Sequence, residues 1–233
     1  MQKWNKLGLI YNNQNYNALP VGTFIDTDIL RIYASSRNDD NKSFPFFIDY
    51  DLQIQKVISE NIIDIPLGDL GTFDEHGVMP SSVIYKNNQI LLYYIGWNLG
   101  VTVPFRNSIG LAMAEKGESF NRLYNGPILD RSKNEPHFVA SSCVIIDKNI
   151  WKMWYASAIR FFYEKDKLKS EYTIKYAYSN NGFDWKKSNI ISLELGENDS
   201  NIARACIYKK KDLFVAWYPV VAKPSGQYRI GYA

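Results

Sequence analysis

The chain has 233 residues, of which 46% are hydrophobic and 15% aromatic, and its formal net charge is +3. This length and apolar content suffice for one sizeable β-rich domain or two small ones, and the scattered basic residues argue against a nucleic-acid partner. No stretch approaches the roughly 18 apolar residues of a membrane helix, and residues 1–6 lead into no long apolar run. The sequence therefore predicts a cytoplasmic protein without a membrane segment or a signal peptide.

One motif recurs four times along the chain. An apolar strand starts near Pro20, Pro80, Ala140 and Ala203, and a polar turn and a second strand rich in aromatic and β-branched residues follow each time. These anchor positions lie 60, 60 and 63 residues apart. A fixed period of this size in strand-forming sequence is typical of a propeller or a solenoid.

The later part of each repeat completes a four-stranded unit. After a variable segment, a turn with an aromatic residue, Phe120 or Trp185, follows a third strand. Four short strands per repeat are typical of a propeller blade. The third strand is predicted at residues 108–114, 173–179 and 228–233.

The repeat predicts an all-β fold in which residues 1–233 form a single β-propeller domain. We expect the blades to start near residues 19, 79, 139 and 202. The fourth repeat reaches only its third strand at Ala233, so its blade is expected to be truncated. Residues 6–11 are predicted to form a further strand ahead of the first blade.

A likeness to a known superfamily is carried by five segments, at residues 71–80 (GTFDEHGVMP), 93–98 (YYIGWN), 103–112 (VPFRNSIGLA), 135–141 (EPHFVAS) and 152–155 (KMWY). They resemble the five-bladed β-propeller glycosidases, which include arabinanases, β-xylosidases, invertases, levansucrases and mannoside phosphorylases, of glycoside hydrolase families 43, 32 and 130. The nearest likeness is to an uncharacterised branch linked to surface-polysaccharide genes. The resemblance implies a five-bladed ring, of which this chain covers about four blades, and a glycan-active enzyme of the glycoside hydrolase type with a carbohydrate substrate in its axial funnel.

The resemblance also implies two catalytic carboxylates. Glycoside cleavage needs a proton donor and a base or nucleophile on opposite sides of the bond. Asp74 and Glu135 precede the second and third anchors by six and five residues. Glu135 is the implied general acid, with its pKa raised by an apolar pocket, and Asp74 is its partner. The alternative is that both residues cap loop turns through backbone hydrogen bonds.

The first repeat lacks the carboxylate that the resemblance leads us to expect as the base. Residues 12–20 contain none, and Asp39 and Asp40 follow the second strand, where they serve either the funnel mouth or a turn. Asp199, before the fourth anchor, is interpreted as a turn residue. Three alternatives stay open: a hydrolase, a phosphorylase that uses inorganic phosphate as nucleophile, and a non-catalytic sugar-binding propeller that assists polysaccharide biosynthesis.

Seven further residues are candidates for contacts with a sugar. A guanidinium binds hydroxyls, carboxylates or phosphates with two hydrogen bonds at once, and an aromatic ring can stack on a pyranose face, although packing within a blade is the alternative. The two histidines each follow a candidate carboxylate by two residues. The seven candidates are Arg37, Arg106, Arg204, Trp97, Asn98, His76 and His137.

No cofactor and no metal site are predicted. Two histidines and two separated cysteines do not make a transition-metal ligand set, and only a structural Ca²⁺ on the propeller axis stays open. Cys143 and Cys206 lie in equivalent apolar strands and are expected to be buried free thiols. The sugar, its linkage and the oligomeric state are not determined by the sequence.

Overall fold

Every regular element that the structure describes is a β-strand. The computed structural model describes residues 5–13, 15–116, 118–223 and 225–233. The prediction about a signal peptide rests partly on residues 1–4, which lie outside the described residues. The strands are β1 (Asn17–Phe24), β2 (Ile29–Arg37), β3 (Ser43–Asp51), β4 (Lys56–Ile62), β5 (Gly77–Lys86), β6 (Gln89–Asn98), β7 (Arg106–Glu115), β8 (Asn121–Arg122), β9 (Val139–Asp147), β10 (Ile150–Glu164), β11 (Lys167–Ser179), β12 (Lys186–Leu193), β13 (Asp199–Ile202), β14 (Cys206–Lys210), β15 (Leu213–Ala222) and β16 (Tyr228–Tyr232).

The strands form four antiparallel groups, called blades I to IV below. Blade I contains β1 to β4, blade II contains β5 to β8 and blade III contains β9 to β12, with each strand paired to the next. In blade IV, β15 pairs with β13 and β14 on one side and with β16 on the other. This arrangement confirms the predicted all-β propeller fold.

Burial along the strands follows their position in a blade. Strand β6 reads QILLYYIGWN and is buried at every position from its second to its ninth residue, as expected of a strand covered on both faces. The outer strand β4 alternates between exposed and half-buried residues in its first half, because only one face of an outer strand meets its neighbours. The apolar second strands therefore supply the core of each blade.

The inner strands of blades I and II are interrupted at the predicted anchors. The pairing register shifts between Ala18 and Val21 in β1 and between Pro80 and Ser82 in β5. Leu19 adopts a positive φ of 58°. A β-bulge of this kind redirects the neighbouring side chains and is common beside functional sites. Here it lies at the end of the blades where the inner strands begin.

Small polar side chains link the inner strands of neighbouring blades. The hydroxyl oxygens of Ser81 and Ser142 lie 2.7 Å apart and join blades II and III. The thiol sulfur of Cys143 accepts a hydrogen bond from the backbone N–H of Ile207 at 3.3 Å and joins blades III and IV. Both cysteines are free, but Cys143 is only half-buried and Cys206 is exposed, so the prediction of two buried thiols is wrong, most clearly for Cys206. Its strand lies nearer the surface than the equivalent strand of blade III.

Tyrosines of the second strands pack between blades. Tyr93 and Tyr155 are fully buried, as the repeat predicts. The Tyr93 hydroxyl donates to the carbonyl oxygen of Gly182, in the closing turn of blade III, at 2.9 Å. The Trp185 indole N–H donates to the same carbonyl at 3.0 Å. The turn therefore closes its own blade and also holds it against blade II.

The predicted strand at residues 6–11 is not formed. These residues have no strand pairing in the described structure, and Leu7 and Leu9 are 78% and 83% exposed. A strand needs a partner for its backbone N–H and C=O groups, and no described strand pairs with this segment, although the Tyr11 ring packs on Phe46 of β3. Among the described residues, no helix is long and apolar enough to cross a membrane.

Candidate functional site

A cleft of about 420 Å³ lies where blades I and II begin. The interrupted inner strands supply Leu19 and Met79, and Tyr16, Trp97 and Phe105 supply aromatic rings. None of the described residues that line the cleft is a carboxylate. The polar lining residues are Ser35, Arg37, Asn41, Ser43 and Asn107.

Trp97 forms a fixed wall of this cleft. It lies at the end of β6 and is only 5% exposed, and its indole N–H donates to the Ser43 hydroxyl at 3.2 Å. Gly77 of β5 lies opposite Trp97, and a Cβ atom at this glycine would be 2.0 Å from the indole nitrogen. Only glycine therefore leaves room for the ring in this position.

Arg37 places a positive charge in the cleft. Its guanidinium carbon lies 5.1 Å from the ring centroid of Tyr16 and 5.2 Å from that of Trp97, within cation–π distance. One terminal nitrogen donates to the side-chain oxygen of Asn41 at 3.0 Å. The backbone N–H of Arg37 donates to the carbonyl of Tyr16 at 3.2 Å and so holds the exposed tyrosine at the rim.

Asp74 lies in a closed cluster inside blade II. Its side chain is 1% exposed, and its Oδ2 atom lies 3.0 Å from a terminal nitrogen of Arg122, on the outer strand β8. The hydroxyl of Tyr94 donates to the same oxygen at 2.9 Å, and that of Thr72 donates to Oδ1 at 3.3 Å. Burial, followed by the charge of Asp74, raises the pKa of Tyr94, so its hydroxyl stays protonated as a donor. The carboxylate is thus neutralised within its own blade.

Glu135 lies in an equivalent cluster inside blade III. Its carboxylate accepts hydrogen bonds from the hydroxyls of Ser157 at 2.7 Å and Tyr155 at 3.1 Å. The ammonium groups of Lys187 on the outer strand β12 and of Lys175 on β11 lie 2.5 Å and 3.6 Å from its carboxylate oxygens. Burial alone would raise the pKa of Glu135, but Lys187, Ser157 and Lys175 together hold the pKa below its ordinary value.

The two candidate carboxylates are therefore not brought together in the cleft. Each is bound by side chains of its own blade, and neither Asp74 nor Glu135 lines the cleft. The pKa of Glu135 is lowered, whereas the general acid expected from the sequence needs a raised pKa. The hydrogen bonds that these carboxylates accept come from side chains and not from backbone N–H groups. The alternative that both residues cap loop turns therefore does not describe them either.

Of the seven candidate binding residues, Arg37 and Trp97 line the cleft, and His76 contacts Trp97 without lining the cleft. The centroid of the His76 ring lies 5.6 Å from that of the Trp97 ring, and the Nδ1 atom of His76 lies 3.4 Å from a carboxylate oxygen of Glu75. His137 packs at 5.8 Å against Phe161. Asn98 and Arg106 face each other in β6 and β7 and are not among the lining residues.

Arg204 lies in a different cavity, on the axis of the inner strands. Its terminal nitrogens donate to the backbone carbonyl of Pro20 at 2.7 Å and to that of Ser81 at 3.0 Å. Blade IV is thereby joined to blades I and II. Burial lowers the pKa of Arg204. Its contacts are those of a residue that holds blades together.

Four of the aromatic and amide residues that line the cleft are not among the candidates from the sequence. Tyr16 belongs to the asparagine-rich stretch before β1, which contains no carboxylate. Asn41 belongs to the same turn as Asp39 and Asp40, where the carboxylates are the more conspicuous residues. Phe105 and Asn107 lie within the segment that carries the resemblance, where Arg106 was chosen instead. The aromatic and amide content of these loops was the available signal.

The described residues contain no group of three or more histidine, cysteine, aspartate or glutamate side chains that could hold a metal ion. No protein-family model matches the chain. Two proteins of Mycobacterium tuberculosis are each 32% identical to it over 229 residues: the uncharacterized protein MT1551 of strain CDC 1551 / Oshkosh and the uncharacterized protein Rv1502 of strain ATCC 25618 / H37Rv. The match covers 92% of this chain and 75% of each relative.

Solved structures of glycoside hydrolases share the fold. One glycoside hydrolase matches with a TM-score of 0.71 at 13% identity, over 99% of this chain and 74% of that chain. An exo-1,5-α-L-arabinanase from a bovine ruminal metagenomic library gives 0.67 at 10% identity, over 94% and 75%. The sucrose-6-phosphate hydrolase of Lactobacillus gasseri gives 0.66 at 10% identity, over 94% and 44%. The predicted resemblance is thus confirmed for the β-propeller fold.

Proposed function

Because the chain belongs to the family of the Mycobacterium tuberculosis proteins MT1551 and Rv1502 and has the propeller fold of glycoside hydrolases, we propose that it binds a saccharide in the cleft between blades I and II. The observation that carries this proposal is the composition of the cleft. Aromatic rings, amides, hydroxyls and one guanidinium surround it, and no described carboxylate does. Rings cover the apolar faces of a sugar, while the polar groups bind its hydroxyls.

In this proposal the protein binds the saccharide but does not hydrolyse its glycosidic bonds. Cleavage of a glycosidic bond requires two carboxylates that flank it, about 5–10 Å apart. Asp74 and Glu135, the two candidates, are each occupied by a basic residue of an outer strand. Lys187 favours the ionised form of Glu135, whereas a general acid must be protonated before it can donate to a leaving group. A non-catalytic sugar-binding role in polysaccharide biosynthesis fits these contacts.

Tyr16 offers a test that leaves the fold intact. The Tyr16 side chain is 66% exposed at the rim of the cleft, so Tyr16→Ala is expected to weaken saccharide binding by about tenfold, through lost ring contact, without changing stability. Binding would be measured by isothermal titration calorimetry against the tightest-binding member of a panel of oligosaccharides. Tyr208→Ala, at an exposed position on β14 outside the cleft, is the matched control and should bind as wild type. Equal affinity of wild type and Tyr16→Ala would argue against this cleft as the site.

The glycoside hydrolase fold supports a second candidate function, hydrolysis or phosphorolysis with Glu135 as acid and Asp74 as its partner. It predicts that Glu135→Gln abolishes turnover of a cognate glycoside while binding persists. The measurement is release of aryl alcohol from a panel of aryl glycosides, with and without inorganic phosphate. Turnover that is the same in wild type and Glu135→Gln would remove Glu135 as the acid, and turnover that requires phosphate would identify a phosphorylase.

A further inference from the structure

We propose that the cleft selects an anionic saccharide, whose carboxylate or phosphate group binds the guanidinium of Arg37. This inference rests on the proposed saccharide-binding function and adds the chemical class of the ligand. It is carried by the unpaired charge of Arg37 inside a cleft that is otherwise neutral.

Arg37 differs from most other arginines of the described chain. No carboxylate forms an ion pair with its guanidinium, and its one side-chain hydrogen bond is to the neutral amide of Asn41. Five arginines, in contrast, each pair with a carboxylate: Arg31 with Asp49, Arg122 with Asp74, Arg131 with Asp130, Arg160 with Glu171 and Arg229 with Asp199. A half-buried cation in a cleft that lacks an internal counterion is suited to an anion from outside.

The hydrogen-bond donors of Arg37 are largely free. A guanidinium has five N–H donors, and the side-chain contacts of Arg37 use one of them, toward Asn41. Its contacts with the Tyr16 and Trp97 rings restrict the position of the cation without using donors. A carboxylate or a phosphate can therefore accept two parallel hydrogen bonds from one side of the guanidinium.

The surroundings of Arg37 do not cancel its charge. Asp39 and Asp40, two and three residues further along the chain, are exposed in the following turn and do not line the cleft. Glu75 contacts His76, accepts the backbone N–H of Gly71 at 2.6 Å and does not line the cleft. Because Asp39 and Asp40 are exposed, solvent and salt screen their charges more strongly than they screen the half-buried guanidinium of Arg37. The amide of Asn107, also in the cleft, is available to bind the sugar ring itself.

The test compares matched sugars that differ only in charge. Methyl glycosides of glucose, galactose and mannose would be titrated beside their uronates and their 6-phosphates, by calorimetry at low and high salt. We expect at least one acidic member to bind about tenfold more tightly than its neutral partner, since hydrogen bonds to charged groups are the stronger ones. High salt should reduce this preference. The anionic group is identified by which acidic form, the uronate or the 6-phosphate, binds more tightly than the neutral glycoside.

Variants then connect the preference to Arg37. Arg37→Gln should abolish the preference for the acidic sugar, and Arg37→Lys should retain only part of it, because a lysine lacks the two-donor geometry. Arg131→Gln removes the same charge from an exposed position outside the cleft and should retain the preference. A preference that survives Arg37→Gln overturns the proposal.

The remaining outcomes separate this inference from the proposed function. If neutral and acidic partners bind equally, the anionic class is wrong and saccharide binding stands. If no member of the panel binds at about 10 mM, a concentration that would reveal even weak affinity, both proposals fail. If only acidic sugars bind and Arg37→Gln binds none, both are supported.

Discussion

Replacement of Glu135 by alanine is expected to lower the free energy of unfolding by about 3–5 kcal/mol, because it strands buried charges without a partner. The ammonium groups of Lys187 and Lys175 are 14% and 16% exposed and face this one carboxylate. The hydroxyls of Tyr155 and Ser157 would also lose their acceptor. Urea denaturation followed by tryptophan fluorescence measures the change. Glu164→Ala removes the carboxylate of the exposed pair with Lys169 and is expected to leave the midpoint unchanged.

The same experiment separates a structural carboxylate from a catalytic one. Catalytic groups are commonly held in strained or repulsive surroundings, and their removal often leaves stability unchanged or higher. Glu135 has the opposite surroundings, with two cations and two donors. A Glu135→Ala variant as stable as wild type would therefore contradict the structural role and support a catalytic one.

The stabilisation by Glu135 should depend on pH in a definite direction. The folded pKa lies below the unfolded pKa, so the stabilisation is fully present above the unfolded value of about 4.3 and is lost as the pH falls through the folded pKa. The stability difference between wild type and Glu135→Gln should accordingly shrink below about pH 4.5. Urea denaturation of both proteins at about pH 7, 5 and 3.5, values that bracket the ordinary carboxyl pKa of about 4.3, measures this stability difference. A difference that grows on acidification would contradict the lowered pKa.

The fold could be predicted because the propeller repeats itself in the sequence. The first three anchors lie in the inner strands β1, β5 and β9, whereas the fourth, Ala203, falls between β13 and β14. The aromatic second strands of blades II and III are buried where the repeat places them. Such features depend on local alternation and on spacing, which one sequence contains. The segment at residues 6–11 has the composition of a strand, yet strand formation depends on a neighbour that composition does not reveal.

The site was harder to predict because its chemistry depends on contacts between distant strands. Spacing placed Asp74 and Glu135 before the inner strands, but it did not show that Arg122 and Lys187 reach back to them from β8 and β12. A carboxylate is available for catalysis only if no such basic side chain forms an ion pair with it. The cleft itself is formed partly by irregular segments, such as the one that carries Tyr16, whose position no periodicity indicates.

Substitution of Gly77 by alanine is expected to displace the Trp97 ring, and so to disable the cleft without changing any residue that lines it. The added Cβ would lie 2.0 Å from the indole nitrogen and 2.8 Å from the Cβ atom of Ser43, and both distances are too short for real contacts. Ser43 belongs to a neighbouring strand, so the strain is relieved most readily by movement of the indole, which breaks its hydrogen bond to the Ser43 hydroxyl. We expect a loss of about 1–3 kcal/mol in the free energy of unfolding and a loss of at least about tenfold in saccharide affinity.

The matched control for this substitution is Gly126→Ala. No atom lies within 4 Å of a Cβ at Gly126, and its φ is not positive, so the added methyl group is expected to be neutral or slightly stabilising. Calorimetric titration of both variants, together with their urea midpoints, separates affinity from stability. Because Trp97 contacts His76 and lies within cation–π distance of Arg37, its displacement removes the ring wall and the support of the guanidinium in one step. A Gly77→Ala variant that binds as wild type would mean that the ring contributes nothing to recognition, and the cleft would lose the observation on which its proposed function depends.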